Sequence, residues 1–323
     1  MRSVSWARIA SCLTLATLPA FGSERVHIVI PAGPGGGLDG TAREVGRVLV
    51  ELGLLDQASF ENVSGGGGGR AMAYFLENAH RFEAPLLVNS TPLLVRSLQG
   101  LFPYSFRDLT PVAALVADYG VFVVRADDPR QGWQAVARDL KSDPRAFAVG
   151  GGSARGSLDH IVLAMALRLV DVDARAVRYL PYDGGGKAML ALLGGEVDLL
   201  STGLGETVPF IEAGQVRVLA TTAPARVPAI ADAPTFTELG YPLAFANWRG
   251  LFGPPDMTAE ALEVHLARLA TLSDSENWRS TVLRRGWDHL AMTGASFAAY
   301  LESQERQLKE VMVDIGFVQA DGK

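Results

Sequence analysis

Three glycine turns carry most of the chemistry this sequence can hold. Gly35-Gly36-Gly37, Gly150-Gly151-Gly152 with Gly156, and Gly184-Gly185-Gly186 each follow a short apolar run and precede a helical pattern. The first N–H groups of a helix have no internal partner and lie at the positive end of its dipole. Glycines in front of them let an anion approach the backbone. Anion capture is therefore the predicted chemistry. Asp39 stands beside the first turn, where a carboxylate repels an anion unless it is turned away. Its simpler role is to accept N–H groups of its own turn. Its functional role would be to hold a water or receive an ammonium group. Arg155 and Arg70 also lie in glycine turns, where each is either solvated or pairs with a ligand carboxylate.

Other chemistries fit less well. Gly35-x-Gly37-x-x-Gly40 spells a dinucleotide fingerprint, and Glu61 follows about twenty residues on, where a ribose-binding acid would lie. Pro34 and Asp39 are awkward in a turn that must hug a pyrophosphate. Lys187 follows three glycines, but a phosphate loop would need glycine at Tyr182 and a hydroxyl at Ala188. Gly151-x-Ser153 runs on into Ala154-Arg155, so no nucleophile elbow is present. His27, His80, His160, His265 and His289 form no H-E-x-x-H and no close pair, so no metal site is expected. His160 reads as a helix residue packed near a cap, and Asp127-Asp128 as loop charges. No nucleophile–base pair assembles, and neither an enzyme nor a cofactor is expected.

The elements that must position the turns are short and alternate. Val26–Ile30 is an apolar run suited to a buried parallel strand. After the first turn, Ala42, Val45, Val48 and Leu49 line one face of a helix. Ala58–Val63, Gly65–Gly69 with Arg70, Ala71–Ala79 and Pro85–Asn89 continue a βαβαβ pattern. Val112–Val116 and Val121–Val124 read as two strands, the second leading out of a first unit. A helix around Trp133–Lys141 follows, and then the opening pattern recurs. Ala146–Val149, the second glycine turn and a helix over Leu158–Val170 form one unit, with Ser157 as N-cap. Ala176–Tyr179, the third turn and a helix to Leu193 form the next. Val197–Leu200 ends at the turn Ser201-Thr202-Gly203, and Val208–Ala213 and Val216–Thr221 complete the second half. Leu262, Leu266 and Leu269, and then Phe297, Tyr300, Leu301, Leu308, Val311 and Met312, mark helices that pack back onto the first unit.

A length of 323 residues suggests about two domains. With 48% hydrophobic and 20% charged residues the chain can bury a core. A net charge of −6 argues against a nucleic-acid partner. Residues 1–22 read as an export signal: Arg2 and Arg8, an apolar stretch Ile9–Leu18 too short to span a bilayer, and Ala20-Phe21-Gly22 as the cleavage site. The single cysteine, Cys12, lies inside that signal. Arg8 interrupts the apolar run that a lipoprotein box would need. The mature chain would then hold no thiol and no disulfide, which fits a bacterial periplasm.

Taken in order, the motifs resemble the periplasmic substrate-binding proteins of tripartite tricarboxylate transporters, also called the Bug family. Pro34-Gly35-Gly36-x-x-Asp39-x-x-Ala42-Arg43 matches the first loop, and Glu61-Asn62 with the glycine run matches the second. Pro103-Tyr104 through Asp108-Leu109-Thr110-Pro111-Val112, Gly156-Ser157-x-x-His160, Pro181-Tyr182-x-Gly184 and Leu192-Leu193-Gly194-Gly195-x-Val197-Asp198 follow. Ala213-Gly214-x-Val216-Arg217-x-Leu219-Ala220, Arg226, Pro234-Thr235-x-x-Glu238-x-Gly240 and Trp248-x-Gly250-Leu251 complete the series. The resemblance implies a fold that closes on a small carboxylate-bearing solute, held largely by backbone N–H groups and waters from two facing loops. The chain departs from the pattern at Ala154, at Arg155 and in the run of five glycines before Arg70, all at the cleft.

The combined expectation is an α/β, two-lobed periplasmic-binding-protein (type II) fold, each lobe a sheet flanked by helices. Lobe 1 would comprise 23–123 and 246–323, and lobe 2 would comprise 124–245, with crossings near Val124 and near Ala244–Asn247. Gly35, Gly36, Gly37 and Asp39 would face Ser153, Arg155, Gly156 and Ser157 across the cleft. Thr91, Tyr182, Gly185, Ser201 and Thr202 would line the rest. The protein is expected to be an exported monomer that hands a carboxylate to a membrane permease. A ligand sensor for a membrane kinase and a nicotinamide-dependent oxidoreductase are the alternatives. Trp248 would pack in the core near the second crossing.

Overall fold

The computed structural model describes residues 25–319. The export-signal reading, with Cys12 and the cleavage site, lies outside the described residues.

The first half builds a parallel core. β1 (Arg25–Ile30) is flanked by β2 (Gln57–Asn62) and β3 (Pro85–Ser90), both parallel to it. α1 (Gly37–Glu51), α2 (Gly69–Asn78) and α3 (Pro92–Leu98) are the crossovers and the helix that follows. α1 buries Ala42, Val45, Val48 and Leu49 against Val26, Ile28 and Ile30, while Arg43 and Arg47 face outwards. Each buried aliphatic side chain of this kind contributes about 1.5–3 kcal/mol.

β4 (Thr110–Arg125) is one long strand where the sequence suggested two. The break at Asp118-Tyr119-Gly120, which divides the apolar pattern, lies inside the strand, with Asp118 and Tyr119 buried. β4 also joins the two halves. From Thr110 to Tyr119 it pairs with β9 (Ala246–Gly253), and from Gly120 onward with β7 (Leu199–Gly203) and β8 (Val216–Thr221). The partners change at Tyr119–Gly120, ahead of Val124. The return crossing runs directly into β9, a strand the sequence did not reveal, which lies antiparallel between β3 and β4. Trp248 on β9 is fully buried against Phe252 and Phe297, the core role expected of it.

α4 (Trp133–Ser142), β5 (Ala148–Gly151), α5 (Leu158–Arg168), β6 (Arg178–Pro181), α6 (Gly185–Leu193) and α7 (Leu204–Glu212) build the second half. β5 is parallel to β6 and β7. α5 is apolar nearly all round, and His160 through Ala164 are buried. α7 begins at Leu204, right after β7, so Ser201-Thr202-Gly203 belongs to the strand and not to a separate turn. α8 (Ala259–Asp274), α9 (Glu276–Arg284), β10 (Asp288–Thr293) and α10 (Gly294–Asp314) return to the first half, where β10 pairs with β4. Phe297, Leu301, Leu308 and Met312 of α10 are buried there. The result is a two-lobed α/β molecule in which β4 runs through both sheets. Among the described residues no helix is long and apolar enough to cross a membrane.

Candidate ligand-binding cleft

The glycine turns meet between the lobes. A Cβ on Gly36 would lie 3.6 Å from Cα of Gly184, and one on Gly186 would lie 3.3 Å from the carbonyl oxygen of Gly35. Gly184 has φ +97°, a conformation that L side chains avoid. The absence of side chains on both turns is therefore what lets the two backbones approach. Behind them lies a cavity of about 100 Å³, reached by the N-termini of α1, α5 and α6.

At the first turn the chain satisfies itself. Asp39 is 5% exposed and its carboxylate faces its own turn. Oδ2 accepts the Gly35 N–H at 3.0 Å; Oδ1 accepts from Arg43 Nε at 2.9 Å and Asn62 Nδ2 at 3.0 Å. Burial raises its pKa, but these hydrogen bonds outweigh burial and hold it below the ordinary value. This is the intra-turn role, and Asp39 is not free to receive a ligand. The next N–H, that of Gly37, donates to Oε1 of Glu206, which reaches over from α7 in the other lobe. Glu206 Oε2 accepts from Thr202 Oγ1 at 2.9 Å.

The second turn uses neighbours. Ser157 occupies the N-cap position of α5, but its side chain makes no capping bond. Ser153 Oγ does this instead, accepting the Asp159 N–H at 2.9 Å. The Gly156 N–H donates to His160 Nδ1 at 2.9 Å, which fixes that nitrogen as an acceptor. His160 is stacked on Tyr179, and burial lowers its pKa to about 4, so it is neutral. Arg155 turns out of the cleft and donates to the Tyr179 carbonyl at 2.8 Å. Asp159 lines the cavity. Burial, together with the charge of Glu206, pushes its pKa up to about 7.

Sequence reasoning missed four charged groups. Asp118 and Arg249 form a buried ion pair at the centre of β4 and β9. Asp118 Oδ1 also accepts the Gly205 N–H at 3.1 Å, and Arg249 donates to the Gly37 carbonyl at 3.0 Å and to Thr41 Oγ1 at 3.2 Å. Asp159 and Glu206 are the other two. A polar residue inside the apolar run Val112–Val124 was the one visible sign of Asp118. Of the predicted site residues, Gly36, Gly37, Ser153, Gly185, Ser201 and Thr202 line the cavity. Ser157 and Tyr182 line an adjoining outer cavity of about 270 Å³. Thr91 is fully buried beside Asn247, to whose Oδ1 its N–H donates at 3.3 Å, and Gly35, Gly156 and Arg155 line neither chamber.

The geometry gives the dinucleotide reading no support. At Gly37, where a pyrophosphate would sit, a carboxylate already accepts the N–H, and Glu61 is bound by the Tyr74 hydroxyl at 2.8 Å.

Residues 86–317 match the family model for the tripartite tricarboxylate transporter family receptor, TctC. The chain belongs to this family. Protein BugT of Bordetella pertussis is 30% identical over 78% of this chain and 76% of its own length. Two solved structures from Rhodopseudomonas palustris share the fold. Rpa4515 with adipate has a TM-score of 0.82 at 22% identity, covering 90% of this chain and 97% of its own. MatC with bound malate has a TM-score of 0.77 at 23% identity, covering 91% of this chain and 99% of its own. TctC-family proteins are periplasmic solute-binding receptors, and this chain is a receptor of that type.

Proposed function

We propose that this TctC-family receptor captures a small carboxylate-bearing solute between its lobes and delivers it to a tripartite tricarboxylate-type membrane transporter. The observation that carries the reading is the meeting of three helix N-termini, α1, α5 and α6, around one interlobe cavity. The adipate and malate carried by Rpa4515 and MatC support a carboxylate as the solute class. On this reading residues 1–22 direct export and are removed near Gly22. Lobe 1 (23–123 and 246–323) and lobe 2 (124–245) then close as rigid bodies about their crossings and present a surface to the permease. No bond of the solute is made or broken.

The test is a thermal-shift screen of residues 23–323 with mono-, di- and tricarboxylates, amino acids, aromatic acids and NAD. A ligand at a hundred times its dissociation constant adds about 2.7 kcal/mol. The expected result is a shift with one carboxylate class that Gly36→Val reduces. A shift with NAD alone would sink the reading.

A further inference from the structure

The cleft is electrically lopsided. Its inner chamber holds three carboxylates, Asp118, Asp159 and Glu206, against one guanidinium, Arg249, which is already ion-paired with Asp118. The remaining attraction of Arg249 reaches Glu206 only through space. At the first glycine turn the donors that a solute carboxylate would use are taken by the chain's own acids. The Gly37 N–H donates to Glu206 and the Gly35 N–H to Asp39. The N-terminus of α1 thus holds a protein carboxylate, and two acids, Asp159 and Glu206, face the cavity without a cation of their own among the described residues. A second anion here would meet repulsion undiluted by water. A cation would meet attraction of the same strength.

The outer chamber has the opposite character. It shares Ala32, Leu38, Pro92, Gly152, Ser153 and Gly184 with the inner one, so the two are ends of a single cleft. Gly65, Gly67 and Gly68, at the entry to α2, form its floor. Beneath them lies Arg96, only 5% exposed, whose Nε has no hydrogen-bond partner. A Cβ on Gly67 would lie 2.6 Å from that Nε, so the bare turn is what admits the guanidinium. Arg70 folds under Gly65 in the same way. Ser157, at the N-terminus of α5, closes the other side. The acid at this end is Asp183, 3.6 Å from Lys187.

We propose that the solute is a zwitterion, with an ammonium group between Asp159 and Glu206 in the inner chamber and a carboxylate in the outer chamber over Gly67–Gly68 and Ser157. This inference rests on the interlobe cleft being the solute site. It makes Asp159 and Glu206 the residues that set specificity, by placing negative charge where a simple carboxylate would have bound.

The test is titration calorimetry of the mature chain at pH 7.5 with matched pairs: 4-aminobutanoate against butanoate, glutamate against glutarate, aspartate against succinate, and butylamine as an amine without a carboxylate. The amino member of at least one pair should bind tenfold or more tighter than its deaminated partner. Glu206→Gln and Asp159→Asn should each erase most of that preference by weakening the amino member, with the deaminated member bound as well or better. A purely structural role would weaken both members alike and would overturn the assignment, as would deaminated acids that bind wild type equally well. The latter result would leave the carboxylate-receptor reading standing. Butylamine binding as tightly as the zwitterions would overturn the outer site and the carboxylate reading together, and so would a failure of every pair. Melting curves of both variants report whether they are folded.

Discussion

The first and second glycine turns share a plan, strand to glycines to helix, and each receives one side chain from the opposite lobe. At the first turn the visitor is a carboxylate: Glu206 accepts from Gly37. At the second it is a neutral amide: Gln99 Nε2 donates to the Gly156 carbonyl at 2.7 Å. Their own acids differ as well. Asp39 is tied down by three hydrogen-bond donors and held in its charged form, whereas Asp159 is left facing the cavity with its pKa pushed up to about 7. The same sequence motif has thus been finished as a rigid post on one side and as a responsive surface on the other. What decides is whether a cation and an amide stand near the carboxylate.

Removing the post should have the largest effect. Asp39→Ala strips the partner from the Gly35 N–H, Asn62 and Arg43 in a buried setting. With hydrogen bonds to charged groups at about 1.5–3 kcal/mol each, and Arg43 half-exposed and so contributing less, the loss is about 3 kcal/mol. Melting temperature should fall by roughly 6–12 °C. A fall of under ~2 °C would mean that the turn is held by something other than Asp39.

Next in size is the contact between turns. Gly36→Val adds methyl groups where a Cβ already lies 3.6 Å from Gly184. Overpacking of this kind costs about 1–3 kcal/mol. Because the backbone of Gly36 is in an ordinary extended conformation, the cost should fall on closure and not on folding. Solute affinity should drop by roughly 5- to 150-fold, with the melting temperature of the unliganded protein unchanged. A lowered melting temperature would show that the turns touch in the unliganded ground state.

The two acids predict opposite pH dependences. Asp39 has a lowered pKa in the folded protein, so its contribution is complete above pH 4 and is lost as pH falls through the folded value. Asp159 releases its proton near pH 4 when unfolded and near 7 when folded. Between those values the native state holds the extra proton, so stability falls as pH rises and stays reduced above 7. Asp159 is surrounded by Glu206 on α7, Asp118 on β4, Tyr179 on β6 and Ser153 on its own turn. Of these, Glu206 and Asp118 strengthen the effect. Asp159→Asn should therefore be neutral or slightly destabilising at pH 5 and stabilising at pH 8, as thermal melts at the two values would register. Equal shifts at both would place Asp159 in contact with solvent.

How much of this was legible follows from sequence distance. The turns were readable because strand, glycines and helix are adjacent. The charged interior was not, because the contacts that assemble it join distant segments. Asp118 and Arg249 are 131 residues apart, and Gly37 and Glu206 are 169 apart. A lone Glu in the first turn of α7 looks like any dipole-favoured acid. β9 escaped notice because Arg249, Gly250 and Gly253 interrupt its apolar run, although it lies at the centre of the first sheet. β10, with four of its six residues exposed, offers hardly any apolar face to read. Ser157 looked like the cap because it has the right residue type at the right place, yet Ser153 reaches the helix from within the turn.

The smallest effect isolates the neutral bridge. Gln99→Ala removes one hydrogen bond between the lobes and leaves the Gly156 carbonyl to water. A neutral hydrogen bond contributes about 0.5–1.5 kcal/mol, so the closed state should weaken by roughly two- to tenfold. Gln99 also accepts from Arg96 Nη1 at 3.0 Å, so the variant frees that guanidinium beneath Gly67. A positive charge released under the outer chamber should attract a carboxylate more strongly and partly offset the lost bridge. Stopped-flow dissociation of the solute separates the two contributions. A faster off-rate that added salt does not change would reflect the bridge alone. An off-rate close to wild type at low salt that rises as salt is added would show the freed Arg96 holding the solute through its charge, because salt screens that attraction and leaves a neutral hydrogen bond nearly untouched.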